Sequence, residues 1–380
     1  MNECMRIGCV FSLRFAKLTV FSALKHFVYY FVCDFVYDCL CVGLRNYKPT
    51  PNKFQSITIT MKSTGFITVT GMAILDNELF IATKKNSDIK VYDSTNYVFR
   101  RLLSVSGLND PWDMCSCSQH SCLYIASGYN NCSEDMRFVA TLKPCIQQRP
   151  YNFYGKISRV NVIGTTQHAW YTGEHFGTLS ITGEGNILLT VPASSKIVVY
   201  DTDGKCLHEI NISTDYNLKV LLIETRKYST FVICPSHAEK LSNGNFVVSY
   251  FVFQNDEYYP GTPQLRKRSY TDGLCTINAE GQIIKVFPGK PGSGFGELYR
   301  PWYLAVDREI AVLVLERNGK RISLLKQNLE YKRKLVSKKH GLSNPYRMCF
   351  NGANGRLLVT NIDSKIEHIL VYEIKDPPYN

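Results

Sequence analysis

Beyond Pro49 the apolar residues gather in short runs bounded by Gly, Asn, Asp or Pro, and no sustained helical period follows Thr50. Runs of this kind predict the strands of a sandwich, barrel or propeller, whereas an α/β fold would interleave long amphipathic helices. The segment 71–108 reads as four strands: an inner one, LFIAT, IKVYD, and a last one near Phe99. The second of these returns as LYIAS at 123–127, NILLT at 186–190, NFVVSY at 245–250, AVLVLE at 311–316 and RLLVTN at 356–361.

Six such runs predict six four-stranded blades, because one sheet cannot cover both of its faces until neighbours stack around a common axis. The blades start at Gly71, Pro111, Gly177, Pro235, Pro301 and Pro345, at intervals of 40, 66, 58, 66 and 44 residues. A four-stranded blade takes about 40 to 45 residues. Three intervals therefore carry insertions, read near 130–154, 215–234 and 253–270, and long loops in a compact domain are usually functional or disordered. The last blade runs out at 369–374, so the alternating segment FQSITITMK at 54–62 is expected to supply its missing strand and close the ring.

The expected organisation is an apolar leader over 1–50, poorly ordered or an amphipathic helix, then an all-β, six-bladed β-propeller over 51–376 and a tail over 377–380. Lys17, Lys25, Asp34 and Asp38 interrupt the leader, which thus lacks the run of about 18 uncharged residues that a membrane span needs. It also lacks a clear small-x-small cleavage site. Membrane association of the leader and secretion stay open beside a cytoplasmic location.

The linker FPGKPGSGFGELYRPWYLAVD at 287–307 places Gly294, Gly296, Pro301, Ala305, Val306 and Asp307 in the order that opens a blade in NHL repeats. With the LYIAS-like second strands and KIVVYD-like third strands, the chain resembles the NHL-repeat six-bladed propellers. The resemblance implies a recognition module, often the substrate-binding end of a larger ubiquitin ligase. This chain shows no RING, B-box or coiled coil, so ligase activity is not carried over. It also departs from the pattern where the second strand should end in Asp, having Ser127, Thr190, Tyr250, Glu316 and Asn361 near that place. The polar turn that follows is kept best at Asn318, Gly319, Lys320, Arg321 and Ile322.

Charge adds a candidate surface. The 44 Lys and Arg against 32 Asp and Glu give a formal charge of +12, and from Arg300 to Arg347 twelve basic residues face four acidic ones. RNA recognition needs positive charge with exposed rings, and Arg300, Trp302, Tyr303, Arg317, Lys320, Arg321, Tyr346 and Arg347 combine the two. A protein partner is the main expectation and RNA the alternative. In either case Trp302 and Tyr346 could instead fill the wedge between blades, and Lys332, Arg333, Lys334, Lys338 and Lys339 read as a separate solvated patch.

Catalytic chemistry has thinner support. The cluster Asp113, Cys115, Cys117, His120 and Cys122 contains zinc-ligand types, but none of the 14 cysteines forms a C-x-x-C pair and a structural zinc site needs four convergent groups. Cross-strand thiol packing is the plainer account. Of eight histidines only His237 falls at a blade start, beside the axis with Asp113 and Asp307 as expected neighbours. An acid/base or metal site there is the remaining enzymatic reading. Hydrolase and phosphate-loop motifs are missing from the sequence, so neither a cofactor nor a small-molecule substrate is expected.

Overall fold

The computed structural model describes residues 61–62, 69–84, 86–128, 155–172, 177–213, 230–255, 271–287, 292, 294–307, 311–363 and 366–374. All belong to the compact unit Lys53–Asn380. The leader over 1–50, the tail and most of the three insertions lie outside the described residues.

Six four-stranded antiparallel sheets form the six blades. The first strand, β1 (Met61–Lys62), belongs to the last blade. Blade 1 comprises β2 (Val69–Leu75), β3 (Glu78–Thr83), β4 (Asp88–Asp93) and β5 (Phe99–Ser104). Blade 2 comprises β6 (Pro111–Cys117), β7 (Cys122–Gly128), β8 (Gly155–Asn161) and β9 (Thr166–Tyr171). Blade 3 follows with β10 (Leu179–Ile181), β11 (Ile187–Val191), β12 (Lys196–Tyr200) and β13 (Cys206–Asn211). In blade 4 the strands are β14 (Thr230–Lys240), β15 (Phe246–Asn255), β16 (Thr271–Ile277) and β17 (Ile283–Val286). Blade 5 holds β18 (Pro301–Asp307), β19 (Ala311–Glu316), β20 (Arg321–Lys326) and β21 (Tyr331–Ser337). Blade 6 is β22 (Pro345–Asn351), β23 (Arg356–Asp363) and β24 (Ile366–Glu373), completed by β1 outside β24.

The near-continuous apolar second strands follow from burial on both faces. In β19, Leu313 and Leu315 join Met348 and Leu357 of blade 6, while Val312 and Val314 join Val247 and Leu274 of blade 4. Every neighbouring pair of blades shares such a core, including blades 6 and 1 through Leu358, Ile369, Val69 and Leu79. Ring closure has a polar tie as well. The Val69 N–H donates to both carboxylate oxygens of buried Glu367 on β24, at 3.1 and 3.0 Å.

The insertions correct the sequence reading in one respect. Residues 230–234 and 253–255, read as loop, are strand: β14 and β15 continue pairing to Thr230↔Asn255, beyond the level where Pro235 meets Tyr250. Buried Ile233 and Val252 explain this, since they extend the core shared with blade 3. The chain ends flanking the insertions at Gly128/Gly155, Ser213/Thr230 and Asn255/Thr271 all lie on the side of the ring where the inner strands begin.

Close approach of blades 1 and 2 requires a glycine at 71, where a Cβ would sit 2.8 Å from the Met114 nitrogen and 2.9 Å from its Cβ. Because the obstacle is backbone, Gly71→Ala should destabilise the fold by about 1 to 3 kcal/mol, seen as a lower midpoint in urea or thermal denaturation monitored by circular dichroism.

Candidate functional site

The site starts from a repeated irregularity in the inner strands. In β2, β6 and β18 a residue is skipped after the first pair, and in β14 after Pro235↔Tyr250, so Val69/Gly71, Pro111/Asp113, Pro235/His237 and Pro301/Tyr303 flank a bulge. In β22 the pairing jumps from Pro345 to Met348. Such a bulge re-aims the residue that follows it. Gly71, Asp113, Leu179, His237, Tyr303 and Arg347 hold the equivalent position in blades 1 to 6.

Four of these six are polar, and they meet at the axis. Asp113 accepts from the Leu179 N–H at 2.9 Å and from the Tyr303 hydroxyl, in the opposite blade, at 3.4 Å. Arg347 Nε stands 3.9 Å from Asp113 and donates to the Thr70 carbonyl at 2.7 Å, while its Nη2 donates to the Trp112 carbonyl at 3.0 Å. The His237 ring lies on the Tyr303 ring, with centroids 3.8 Å apart. All four side chains are buried. Burial pushes the Asp113 carboxyl up, with Arg347 and the Leu179 N–H drawing it back. Burial and the Arg347 charge hold His237 down at about 3, so its imidazole is neutral. Among the described residues Arg347 Nη1 has no hydrogen-bond partner.

Two residues further along the inner strands, Cys115 and Glu239 sit half-buried below this layer. Burial and then the Asp113 charge push the Glu239 carboxyl up to about 8. The same causes keep the Cys115 thiol protonated, a poor state for a metal ligand. The rest of the expected metal cluster is dispersed. Cys117 and Cys122 face each other across β6 and β7, buried and unbonded, and His120 is exposed in the turn between them. Among the described residues no group of three or more Cys, His, Asp or Glu side chains is placed to hold a metal ion. Asp307 does not join the axial layer: it pairs with Ala311 at the far end of β18, away from Tyr303.

Above the axial layer lies an arginine-rich mouth. The Arg317 guanidinium stands 5.6 Å from the Trp302 ring centre and 5.1 Å from that of Tyr346. Arg300 is 5.8 Å from Trp302, and Arg347 is 4.9 Å from Tyr346. The two rings are 5.9 Å apart. Three guanidiniums thus share two rings, a cation–π arrangement that strengthens as water is removed. Burial, with the charges of Arg300 and Arg347, lowers the Arg317 pKa. Among the described residues Arg317 and Arg300 form no ion pair; the Asp272 carboxyl, pushed up by burial, feels only the field of Arg300.

The expected basic and aromatic residues therefore divide. Arg300, Trp302, Arg317, Tyr346 and Arg347 come together, but Tyr303, Tyr346 and Arg347 are buried rather than exposed. Arg321 is buried too and belongs to a latch. Its Nε donates to Glu316 at 2.8 Å, and its Nη2 to the carbonyls of Gly292, at 3.1 Å, and Glu297. Glu316 also accepts from Ser323 and from the Tyr299 N–H. Lys320 is exposed in the adjoining turn and takes no part in either cluster. The latch explains a departure noted in the sequence. Glu316, Thr190 and Asn361, near the end of their second strands, accept backbone N–H groups of the incoming chain, at Tyr299, Thr178, and Ser343 and Asn344 respectively. An acceptor at the end of the second strand was the sequence signal for this role.

No protein-family profile matches the chain, and no curated protein matches it. Solved structures similar to it include a catalytically inactive virginiamycin B lyase from Staphylococcus aureus with quinupristin, at 13% identity and TM-score 0.47, covering 85% of this chain and 99% of that one. The WD40 β-propeller domain of Doa1 gives 10% identity and TM-score 0.45 over 84% and 97% of the two chains. Kuenenia stuttgartiensis hydrazine synthase gives 13% and 0.44 over 81% of each. At these values the likenesses assign no function; the six-bladed architecture rests on the strand pairing itself.

Two outcomes test the axial layer. Arg347→Met leaves Asp113 buried without its cation and should cost about 3 to 5 kcal/mol, measured by chemical denaturation. For Glu239 the folded value of about 8 lies above the ordinary 4.5, so the native state binds the proton more tightly and stability falls as pH rises between those two values. Glu239→Gln should remove that decline, seen by comparing denaturation midpoints across the same range.

Proposed function

We propose that this chain is a non-enzymatic recognition module that docks an acidic segment of a protein partner on the face where its inner strands begin. The carrying observation is the mouth formed by Arg300, Arg317 and Trp302: positive charge held on aromatic rings with no ion pair among the described residues. The three insertions leave the ring on this same face, where they would border a docked segment. The blade-opening segment around Gly294, Gly296 and Pro301 supports an NHL-repeat kinship, in which such a face serves recognition.

Two other readings draw less support. An axial enzyme would need acid and base groups free to meet a substrate. Here Asp113 is engaged by Leu179, Tyr303 and Arg347, and His237 is packed neutral against Tyr303. RNA stacking would need free ring faces, yet Tyr303 and Tyr346 are buried, and Trp302 and Tyr346 each already carry two guanidiniums.

Fluorescence anisotropy of a labelled polyglutamate peptide tests the reading. The peptide should bind with an affinity that falls as salt is added, and Arg317→Ala should weaken it about tenfold or more, since a hydrogen bond to a charged group contributes about 1.5 to 3 kcal/mol. Binding that is indifferent to Arg300 and Arg317 would remove its basis.

A further inference from the structure

The charge and donor count at the mouth say what kind of acidic group it fits. Arg347 is balanced from below by Asp113 at 3.9 Å. That leaves the charges of Arg300 and Arg317, opposed among the described residues by half-buried Asp272. A single carboxylate carries one negative charge and is satisfied by one guanidinium in a bidentate pair. A phosphate monoester carries about −1.5 to −2 and offers three acceptor oxygens, enough to engage both guanidiniums at once.

The hydrogen-bond inventory points the same way. Arg317 presents a planar fork of donors, and its side chain makes no hydrogen bond or ion pair among the described residues. Among the described residues Arg347, itself buried, has no partner at Nη1, and the buried Trp302 Nε1 has none either. Buried polar groups are normally satisfied, and these can only donate. A group that pairs with them has to be an acceptor.

Presentation is fixed rather than adaptable. Trp302 and Tyr346 hold Arg317 between them, and the backbone bulge at Pro301/Tyr303 places Trp302. The Arg317 N–H donates to the Arg300 carbonyl at 3.1 Å, so the two arginines start from joined backbone positions. Preformed arginine geometry of this kind suits an anion with several oxygens, since less side-chain freedom is lost on binding.

We infer that the mouth above the axis is a phosphoryl-group site, formed by Arg300, Arg317 and Arg347 with the Trp302 indole N–H, and that the group it takes is a phosphorylated side chain of a protein partner. The inference rests on the acidic-docking reading above and narrows it. A nucleic-acid phosphodiester fits less well, because each diester carries one charge and the ring faces at the mouth are covered by guanidiniums rather than open to bases.

The full chain is titrated, in one buffer and at one ionic strength, with four labelled probes: a short peptide bearing one phosphoserine, its serine and glutamate counterparts, and a single-stranded RNA. The phosphoserine peptide should bind at least about tenfold more tightly than both counterparts, as expected for one added charge-assisted contact, and inorganic phosphate should compete with it. Arg317→Ala should abolish the preference. Arg317→Lys, which keeps the charge and loses the fork, should retain part of it, with circular dichroism showing that both variants fold. Equal binding of the phosphoserine and glutamate peptides overturns the phosphoryl assignment and leaves acidic docking standing. Binding of none of the three peptides overturns both, and RNA binding tighter than the phosphopeptide moves the site to nucleic acid.

Discussion

A carboxylate taken out of water must find its partners inside the protein, and here it finds them on different blades. Asp113 is held by groups from blades 3, 5 and 6, and its cation Arg347 reaches on to carbonyls of blades 1 and 2. Most of the ring therefore converges on one buried ion pair with shared hydrogen bonds. Such a pair adds little to stability when compared with apolar packing, but breaking it is costly. Its effect is to fix the positions of the inner strands relative to one another. The arginine mouth stands directly on that layer, because Arg347 belongs to both.

The apolar cores between blades are generic by comparison. Each is built from aliphatic residues contributed alternately by neighbouring sheets, and any one could be repacked without changing how many blades surround the axis. The polar layer is not interchangeable in this way: it requires a carboxylate in blade 2, a phenol opposite it and a guanidinium in blade 6. Blade 1 supplies the smallest residue, Gly71, where its strand lies closest to that of blade 2.

The number of blades, their strand order and the closing strand were legible because a four-stranded unit leaves a recurring apolar signature whose second strand is buried on both faces. The composition of the mouth was partly legible. Arg300, Trp302, Arg317, Tyr346 and Arg347 lie together, as their proximity to blade starts and turns suggested, but their burial was not legible, because alternation along a strand fails at a bulge. Skipping one residue in β18 turns Tyr303 onto the axis beside Trp302 in the wedge, and two skipped positions in β22 do the same for Arg347. Arg321 misled for a different reason. It pairs with Glu316 at the end of the preceding strand, and that pairing buries both. The extensions of β14 over 230–234 and of β15 over 253–255 were missed because apolar residues continue into what composition marked as loop.

The tie between Val69 and Glu367 joins residues 298 positions apart, and β1 pairs with a strand near the other end of the propeller. During synthesis the first strand has no edge to join until nearly the whole ring has emerged. Contacts between such distant points form late, because so much chain entropy has to be given up before they can. Five blades can accumulate one by one as neighbours stack, but the sixth is a hybrid of the chain's two ends. Until it forms, the nascent propeller is a curved array with two raw sheet edges, the stage at which a helper that shields strands would matter most.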